Sequence, residues 1–373
     1  MTDYLRRSSI KFLSKVMCCG WLVVILSACA PLDILTASDY AITSAALSPN
    51  GDKITMAVWP RSGGLKRVLL YDLKGDAFRL LPATESNWQP SEPVFSNDQS
   101  MIAVGAFCIS ECPDKNDRMR HLIFMTEENT WKVVASGSGF RGPPKFLPGD
   151  RRLIYVGGSL RPGTRPLARN PEPAIIDLKT GKEIYLSTGG ASFYLLHAPQ
   201  LGPDSSVWFI GIGPSERDLE KRVKALDKQA GNVASIPYQL PVKDIEGDVV
   251  SHGGLKIIDV VAAFTGRDDV AHLTVASNRK RVFFVDSITV GRSRLEERVH
   301  MLEAGKIRTL LTTRINIERL SVSADGKTAL ILGDPKRRGR AGLQDFFILD
   351  VNSSVLRPLP LLDRIHAFMQ KTK

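Results

Sequence analysis

Three polar side chains stand inside short apolar runs that are typical of β-strands: His197 in LLHAPQ, His272 in AHLTV and Arg319 in ERLSV. Imidazole and guanidinium groups bind anions, and neutral imidazole also binds metal ions. If these strands line one channel, the three side chains could bind a small anion or a metal ion there. The alternative interpretation is that they bond only to water and backbone groups. We expect no cofactor.

A second candidate for chemistry is the cysteine pair in CISEC, Cys108 and Cys112. In an oxidising compartment, two cysteines this close usually form a disulfide. A redox-active or metal-binding pair is the alternative, but a lone C-x3-C spacing without a nearby His is weak support for metal binding. We therefore predict a disulfide and no metal site.

Several catalytic motifs are missing from the sequence. It contains no G-x-S-x-G nucleophile elbow, no H-E-x-x-H zinc motif and no G-x-x-x-x-G-K-[ST] phosphate loop. The three corresponding enzyme classes are therefore disfavoured. The chain is basic, with 50 Lys and Arg residues against 39 Asp and Glu residues and a formal charge of +11. This balance favours an anionic partner and carries no information about the fold.

The strands that must position these residues belong to a sequence repeat. The segments AALSPNGDKITMAVW (45–59) and LSVSADGKTALILGD (320–334) share an apolar run, a Ser, an Asn-Gly or Asp-Gly turn, a Lys and a second run. Related turns occur at 96–100, 147–152, 202–206 and 277–281. Each predicts a β-hairpin, and a second hairpin follows in most units. Six units of about 50 residues predict an all-β, six-bladed β-propeller of four-stranded antiparallel blades.

The fourth unit carries an insertion. In residues 214–232, Leu219, Val223 and Leu226 recur at helical spacing, so we predict one helical insertion in blade 4. Residues 233–268 would then hold the outer strands of that blade. A seventh blade in this region is the alternative.

The repeat resembles that of TolB-like propellers, in which Ser-Pro-Asp-Gly-Lys turns alternate with a strand that ends in Asp and a Thr-Gly turn. The resemblance spans residues 40 to 360, is clear in blades 1, 3 and 6, and includes Asp72, Asp177 and Asp350. Prolyl oligopeptidases use the same repeat. TolB adds an α/β domain and the peptidases add a hydrolase domain, and we expect neither beside a propeller at 41–362 and a C-terminal tail at 363–373. The resemblance therefore implies the fold without an activity.

The N-terminal residues have the form of an export signal. Basic residues at positions 6, 7, 11 and 15 precede an apolar run over 16–28, which is shorter than a membrane-spanning helix requires. The sequence Leu26-Ser27-Ala28-Cys29 resembles the lipobox of bacterial lipoproteins, which implies a signal peptide at 1–28, lipid on Cys29 and a tether at 29–40. Ala30 follows the cysteine, and the resemblance then implies the outer membrane and its periplasmic side. An uncleaved anchor is the alternative.

The loops between the second and third strands of the blades are rich in basic residues. In a propeller all of these loops lie on one side, so we predict a basic face. Its predicted members are Arg61, Lys66, Arg67, Arg161, Arg165, Arg169, Arg292, Arg294, Lys336, Arg337, Arg338 and Arg340. Arginine suits planar contacts to carboxylate or phosphate groups. Solubilising charge on exposed loops is the alternative explanation.

These features predict a lipid-anchored periplasmic binding or scaffold propeller. Its basic face would dock an anionic envelope component or an acidic protein partner, and nucleic acid does not fit an exported lipoprotein. An enzyme acting at the channel, such as a lyase or hydrolase of an acidic glycan, is the alternative. A factor that docks unfolded envelope proteins is a third interpretation.

Overall fold

The computed structural model describes residues 40–112, 118–160, 168–189, 191, 193, 195–212, 235–245, 248–251, 254–265, 270–290, 294–335 and 344–372. Within these ranges the chain forms six antiparallel blade sheets, each from one continuous segment of the chain, and a separate two-stranded hairpin. Five blades have four strands, and the sheet of blade 3 has five strand segments because its inner strand is divided. This arrangement confirms the predicted six-bladed β-propeller.

The blades follow one another along the chain. Blade 1 contains β1 Tyr40–Leu47, β2 Lys53–Pro60, β3 Arg67–Asp72 and β4 Ala77–Leu80. Blade 2 contains β5 Trp88–Phe95, β6 Met101–Cys108, β7 Met119–Met125 and β8 Thr130–Ala135. Blade 3 contains an inner strand in two pieces, β9 Gly139–Arg141 and β10 Lys145–Phe146, then β11 Arg152–Leu160, β12 Ala168–Asp177 and β13 Glu183–Tyr185.

The other three blades have the same order. Blade 4 contains β14 Leu195–Leu201, β15 Val207–Ile212, β16 Ile236–Leu240 and β19 Lys256–Ile257, with a separate hairpin of β17 Val242–Ile245 and β18 Asp248–Ser251. Blade 5 contains β20 Val270–Val275, β21 Arg281–Val290, β22 Arg294–Glu303 and β23 Lys306–Thr313. Blade 6 contains β24 Asn316–Val322, β25 Thr328–Asp334, β26 Asp345–Asp350 and β27 Val355–Leu359.

The repeated serine closes the first turn of its blade. The Ser48 hydroxyl accepts a hydrogen bond from the Lys53 amide at 2.8 Å, and the Ser48 amide donates to the Lys53 carbonyl at 2.8 Å. Ser323 binds Thr328 in the same way, at 3.0 and 2.9 Å. Both serines are buried, so their polar atoms need these partners.

The glycine of the turn is used for its backbone conformation. Gly51 and Gly326 have φ values of 76° and 68°, a left-handed region that side chains disfavour. At the equivalent turns of blades 2, 4 and 5 this conformation falls on Gln99, Ser205 and Arg279. The turn geometry therefore survives where the glycine signal in the sequence is lost.

The blades are held together by apolar side chains between neighbouring sheets. In the described part of the chain, six buried clusters each draw residues from two adjacent blades. Phe283 of blade 5, for example, packs with Ile331 of blade 6. Four strands cannot bury both faces of a sheet alone, and stacking around a ring supplies the missing cover.

The described part of the structure contains two helices that the sequence analysis did not predict. The predicted helix at 214–232 lies outside the described residues. The structure places a helix α1 at Asp259–Thr265, between blades 4 and 5, with Val261 buried against blade 5. The described strands in 233–268 complete blade 4 and form the separate hairpin, so the alternative of a seventh blade is wrong.

The predicted C-terminal tail is a packed helix. Helix α2, Leu362–Lys371, buries Ile365 and Met369 in the cluster shared by blades 6 and 1. Arg364 lies 2.7 Å from a carboxylate oxygen of Asp76. Among the helices that the structure describes, none has the length and apolar character needed to cross a bilayer.

Among the described strands, none is exchanged between blades to close the ring. Each blade comes from one continuous segment, so blades 6 and 1 meet through side chains and turns. The Ala324 amide donates to the Pro49 carbonyl at 2.7 Å, and the Leu47 amide donates to the Ser321 hydroxyl at 3.0 Å.

We expect Ile365→Ala to lower the free energy of unfolding by about 2–4 kcal/mol, because it leaves a cavity between α2 and blade 1. Urea denaturation followed by tryptophan fluorescence measures the change. Lys371→Ala, at an exposed position of the same helix, should change stability by less than about 0.5 kcal/mol. Equal stability of the two variants would show that α2 does not support the ring.

Candidate functional site

The innermost strand of every blade is irregular. Its pairing with the second strand shifts register in five blades, between Ile42 and Ser44, Ser91 and Val94, His197 and Gln200, Val270 and His272, and Ile317 and Arg319. In blade 3 the strand is divided into β9 and β10, around Gly142 and Pro144. Because of these breaks, polar side chains of the inner strands do not have to alternate strictly between the two faces of the sheet.

A salt bridge joins the inner strands of two blades that are not neighbours in the ring. Arg319 of blade 6 lies 2.9 Å from a carboxylate oxygen of Glu92 in blade 2, so the pair passes in front of blade 1. The Glu92 amide donates to the Ser44 hydroxyl of blade 1 at 3.1 Å, and Glu92 has a φ of 46°. Arg319 Nε is buried and has no acceptor among the described residues.

Lys145 provides a second cation in the channel. Its Nζ donates to Gln200 Oε1 at 3.1 Å, and Gln200 is fixed in turn by the Leu273 carbonyl and the Val275 amide, both at 2.8 Å. Within the described residues no carboxylate forms a salt bridge with Lys145. Burial lowers its pKa to about 8, and the attraction of Glu92 only partly opposes this effect.

Both predicted channel histidines lie near these charges. Burial lowers the pKa of His272 to about 4, although its hydrogen bond with the Ile317 carbonyl acts in the other direction, and Arg319 lowers it further. Burial also lowers the pKa of His197, where Glu92 opposes the effect and Arg319 and Lys145 add to it. The channel residues His197, His272 and Arg319 are therefore brought together, with Glu92 and Lys145.

Lys66 connects this group to the side of the ring where the second strand of each blade ends, which we call the loop face. Its ammonium lies 5.6 Å from the centre of the Phe107 ring. Burial lowers the pKa of Lys66, and Glu92 opposes that effect. We call Lys66, Glu92, Lys145, His197, His272 and Arg319 the channel cluster.

The channel cluster contains five basic groups and one carboxylate. Each of the five interacts electrostatically with Glu92 or with another member. Glu92 forms its salt bridge with Arg319 and attracts Lys145 only from a distance, so Lys145 has no salt-bridge partner among the described residues. Positive potential concentrated in a partly desolvated channel attracts anions.

A cavity adjoins the channel cluster on the opposite side of the ring, where the first turn of each blade lies. It has a volume of about 140 Å³ and is lined by residues of all six blades, among them Phe95, Lys145, Gln200, Thr274 and Ser321. Lys145 is thus a member of the channel cluster that also lines this small chamber, which has room for a few heavy atoms.

The predicted basic face is described in part. Arg61 and Arg169 are exposed, whereas Arg67 begins β3 and donates to the Leu81 carbonyl at 3.2 Å. Arg294 begins β22. The other predicted members lie outside the described residues: Arg161, Arg165, Arg292, Lys336, Arg337, Arg338 and Arg340. Cys29 and the predicted signal segment also lie outside them.

The cysteine pair lies at the end of β6, on the loop face. Cys108 and Cys112 are joined by a disulfide, with their Cα atoms 5.8 Å apart. No group of three or more His, Cys, Asp or Glu side chains in the described ranges is placed to hold a metal ion.

Sequence reasoning missed Glu92, Lys145 and Gln200. Each stands next to a proline in an inner strand, in SEPVF, PPKF and APQ. Proline removes a donor from the strand ladder and marks a break. A polar residue beside such a proline is the signal that could have identified all three.

We expect Glu92→Gln to lower the pKa of His197 further, because the carboxylate favours the protonated imidazole. The shift can be followed by NMR titration of the ring protons. Glu318→Gln is the control, since that carboxylate binds the Gln344 side chain at 2.8 Å and does not act on His197. An unchanged His197 titration in Glu92→Gln would place the two groups in separate environments.

Neither a known protein family nor a curated protein matches the sequence. Solved structures do resemble the fold. TolB from Acinetobacter baumannii has 14% identity and a TM-score of 0.54 over 84% of this chain, which spans 64% of the length of TolB. An oligogalacturonate lyase in complex with manganese has 12% identity and a TM-score of 0.51, covering 87% of this chain and 80% of the lyase.

An acylaminoacyl peptidase from Pyrococcus horikoshii has 11% identity and a TM-score of 0.53, covering 91% of this chain and 55% of the peptidase. At these identities the likeness concerns the fold and not the activity. The chain is therefore similar in fold to TolB-like six-bladed propellers, lyases and peptidases alike.

Proposed function

We propose that this chain is an envelope-tethered binding propeller that receives an anionic group of an envelope component or an acidic protein at the loop-face mouth of its channel. The observation that carries the proposal is the charge imbalance of the channel cluster. Lys145 is held by Gln200 without a carboxylate partner among the described residues, beside Arg319, His197 and His272.

Basic residues on the loop face support entry of an anionic ligand from that side of the ring. Lys66 reaches from it toward Glu92, and Arg61 is exposed on it. The predicted basic residues of the other loops follow the ends of second strands, at Leu160, Val290 and Asp334. A ligand of negative charge would meet these groups first and the channel cluster next.

We expect Lys145→Met to weaken binding of hexaglutamate at pH 7 by about tenfold, because it removes an ammonium that can donate to a carboxylate. In the native chain the affinity should fall as pH rises through about 8, since Lys145 is protonated below that pKa and neutral above it. Calorimetric titration at several pH values measures both effects.

The matched control is Lys132→Met, in which an exposed lysine paired with Glu128 is replaced. It should retain native affinity and the native pH profile. If Lys132→Met weakens binding as much as Lys145→Met does, the channel is not the binding site.

The proposed tether rests on the lipobox-like sequence that ends at Cys29, and the Cys108–Cys112 disulfide fits an oxidising compartment. We expect Cys29→Ser to move the protein from the membrane fraction to the soluble periplasmic fraction, because the acyl chains that hold it would be missing. Immunoblots of sucrose-gradient fractions measure the change. Outer-membrane residence of the variant would contradict a lipid anchor.

A lyase acting on an acidic glycan is the second candidate. In such an elimination a base takes the proton next to the carboxylate, a cation neutralises the carboxylate, and the C–O bond to the leaving glycosidic oxygen breaks as the C=C bond forms. Lys145, with a pKa lowered to about 8, could serve as the base, and Arg319 as the cation. Ultraviolet absorbance of unsaturated products from oligogalacturonate would support lyase activity. If no such products form, binding without catalysis is the function that stands.

A further inference from the structure

His272 differs in its hydrogen bonding from Lys145 and Arg319, the two cations of the channel cluster that it adjoins. His272 Nε2 lies 3.0 Å from the Ile317 carbonyl oxygen. A carbonyl only accepts hydrogen bonds, so Nε2 carries the proton and the neutral ring presents Nδ1 as a lone-pair acceptor. His272 is half-buried, and no described group donates to Nδ1.

The surroundings keep His272 in this form. Burial, Arg319, His197 and Lys145 all oppose a second proton on the ring, and its pKa is lowered to about 4. Glu92 is the carboxylate that acts on Lys145 and His197, and its oxygen is paired with Arg319. At neutral pH, His272 is therefore an acceptor that stands among donors.

The donors of the channel cluster have unused capacity. Lys145 Nζ has three hydrogens, of which one goes to Gln200. Arg319 Nε–H has no acceptor among the described residues, while Nη1 and Nη2 bind the Glu318 carbonyl and Glu92. Lys145 and Arg319 suit the oxygens of an anion, and His272 suits a group that donates a hydrogen bond beside it.

We infer that the ligand is a hydroxycarboxylate unit, in which a hydroxyl group next to the carboxylate donates to His272 Nδ1 while Lys145 and Arg319 bind the carboxylate. This inference rests on the proposed function of the channel and adds the substrate class. The hydroxyl fits better than a peptide amide, because an amide N–H brings a carbonyl that needs a further donor.

The test compares four small acids by calorimetric titration: glycolate, acetate, methoxyacetate and N-acetylglycine. We expect glycolate to bind about fivefold more tightly than acetate, because one additional hydrogen bond increases the affinity by about that factor. Methoxyacetate, which has an oxygen but no donor, should bind no better than acetate. Equal affinities for glycolate and acetate, or preference for N-acetylglycine, would overturn the inference.

Variants separate this inference from the proposed function. In His272→Phe, glycolate and acetate should bind with equal affinity, because the acceptor for the hydroxyl group is missing. His272→Gln should restore part of the advantage of glycolate, because its amide can donate to Ile317 and its oxygen can accept from the ligand. If neither glycolate nor acetate binds the native chain, the proposed channel site itself fails. If both bind equally, that site stands and the role of His272 fails.

Discussion

The break in the innermost strand of each blade is the constraint on which the channel depends. Six blades must converge on one axis, and each inner strand has a neighbour on one side only. A continuous strand would alternate its side chains between the two faces of its sheet. The register shifts at Glu92, His197, His272 and Arg319, with the division before Lys145, direct polar groups from five blades to one place.

The channel cluster is unfavourable for folding by itself. The Glu92–Arg319 pair is about 40% exposed on both sides, and such pairs contribute roughly 0–1 kcal/mol. The fall of the Lys145 pKa from 10.5 to about 8 corresponds to roughly 3 kcal/mol against its charged form. Desolvation therefore outweighs the ion pair. Apolar contacts between blades supply the stability, which leaves the channel free to hold charges that suit a ligand.

The fold could be predicted from the sequence because its signals are local. The Ser48 and Ser323 turns, and the aspartates that end β3 and β26, each close a turn with atoms within five residues along the chain. Helix α2 was not predicted, because its apolar residues are buried by contacts with blade 1, which is distant in sequence. The partnership of Glu92 with Arg319 joins residues 227 positions apart, which no local pattern encodes.

Ring closure without an exchanged strand has a consequence for the order of folding. The ladder hydrogen bonds of each blade link neighbouring strands of one continuous segment, so a blade can form with low contact order. The contacts between blades 6 and 1 instead join residues 274 positions apart, as in the bond between Leu47 and Ser321. Their loop-closure entropy favours late formation. The chain would then build its blades in succession as a linear array, and the channel, with every group that lines it, would exist only after the last seam closes.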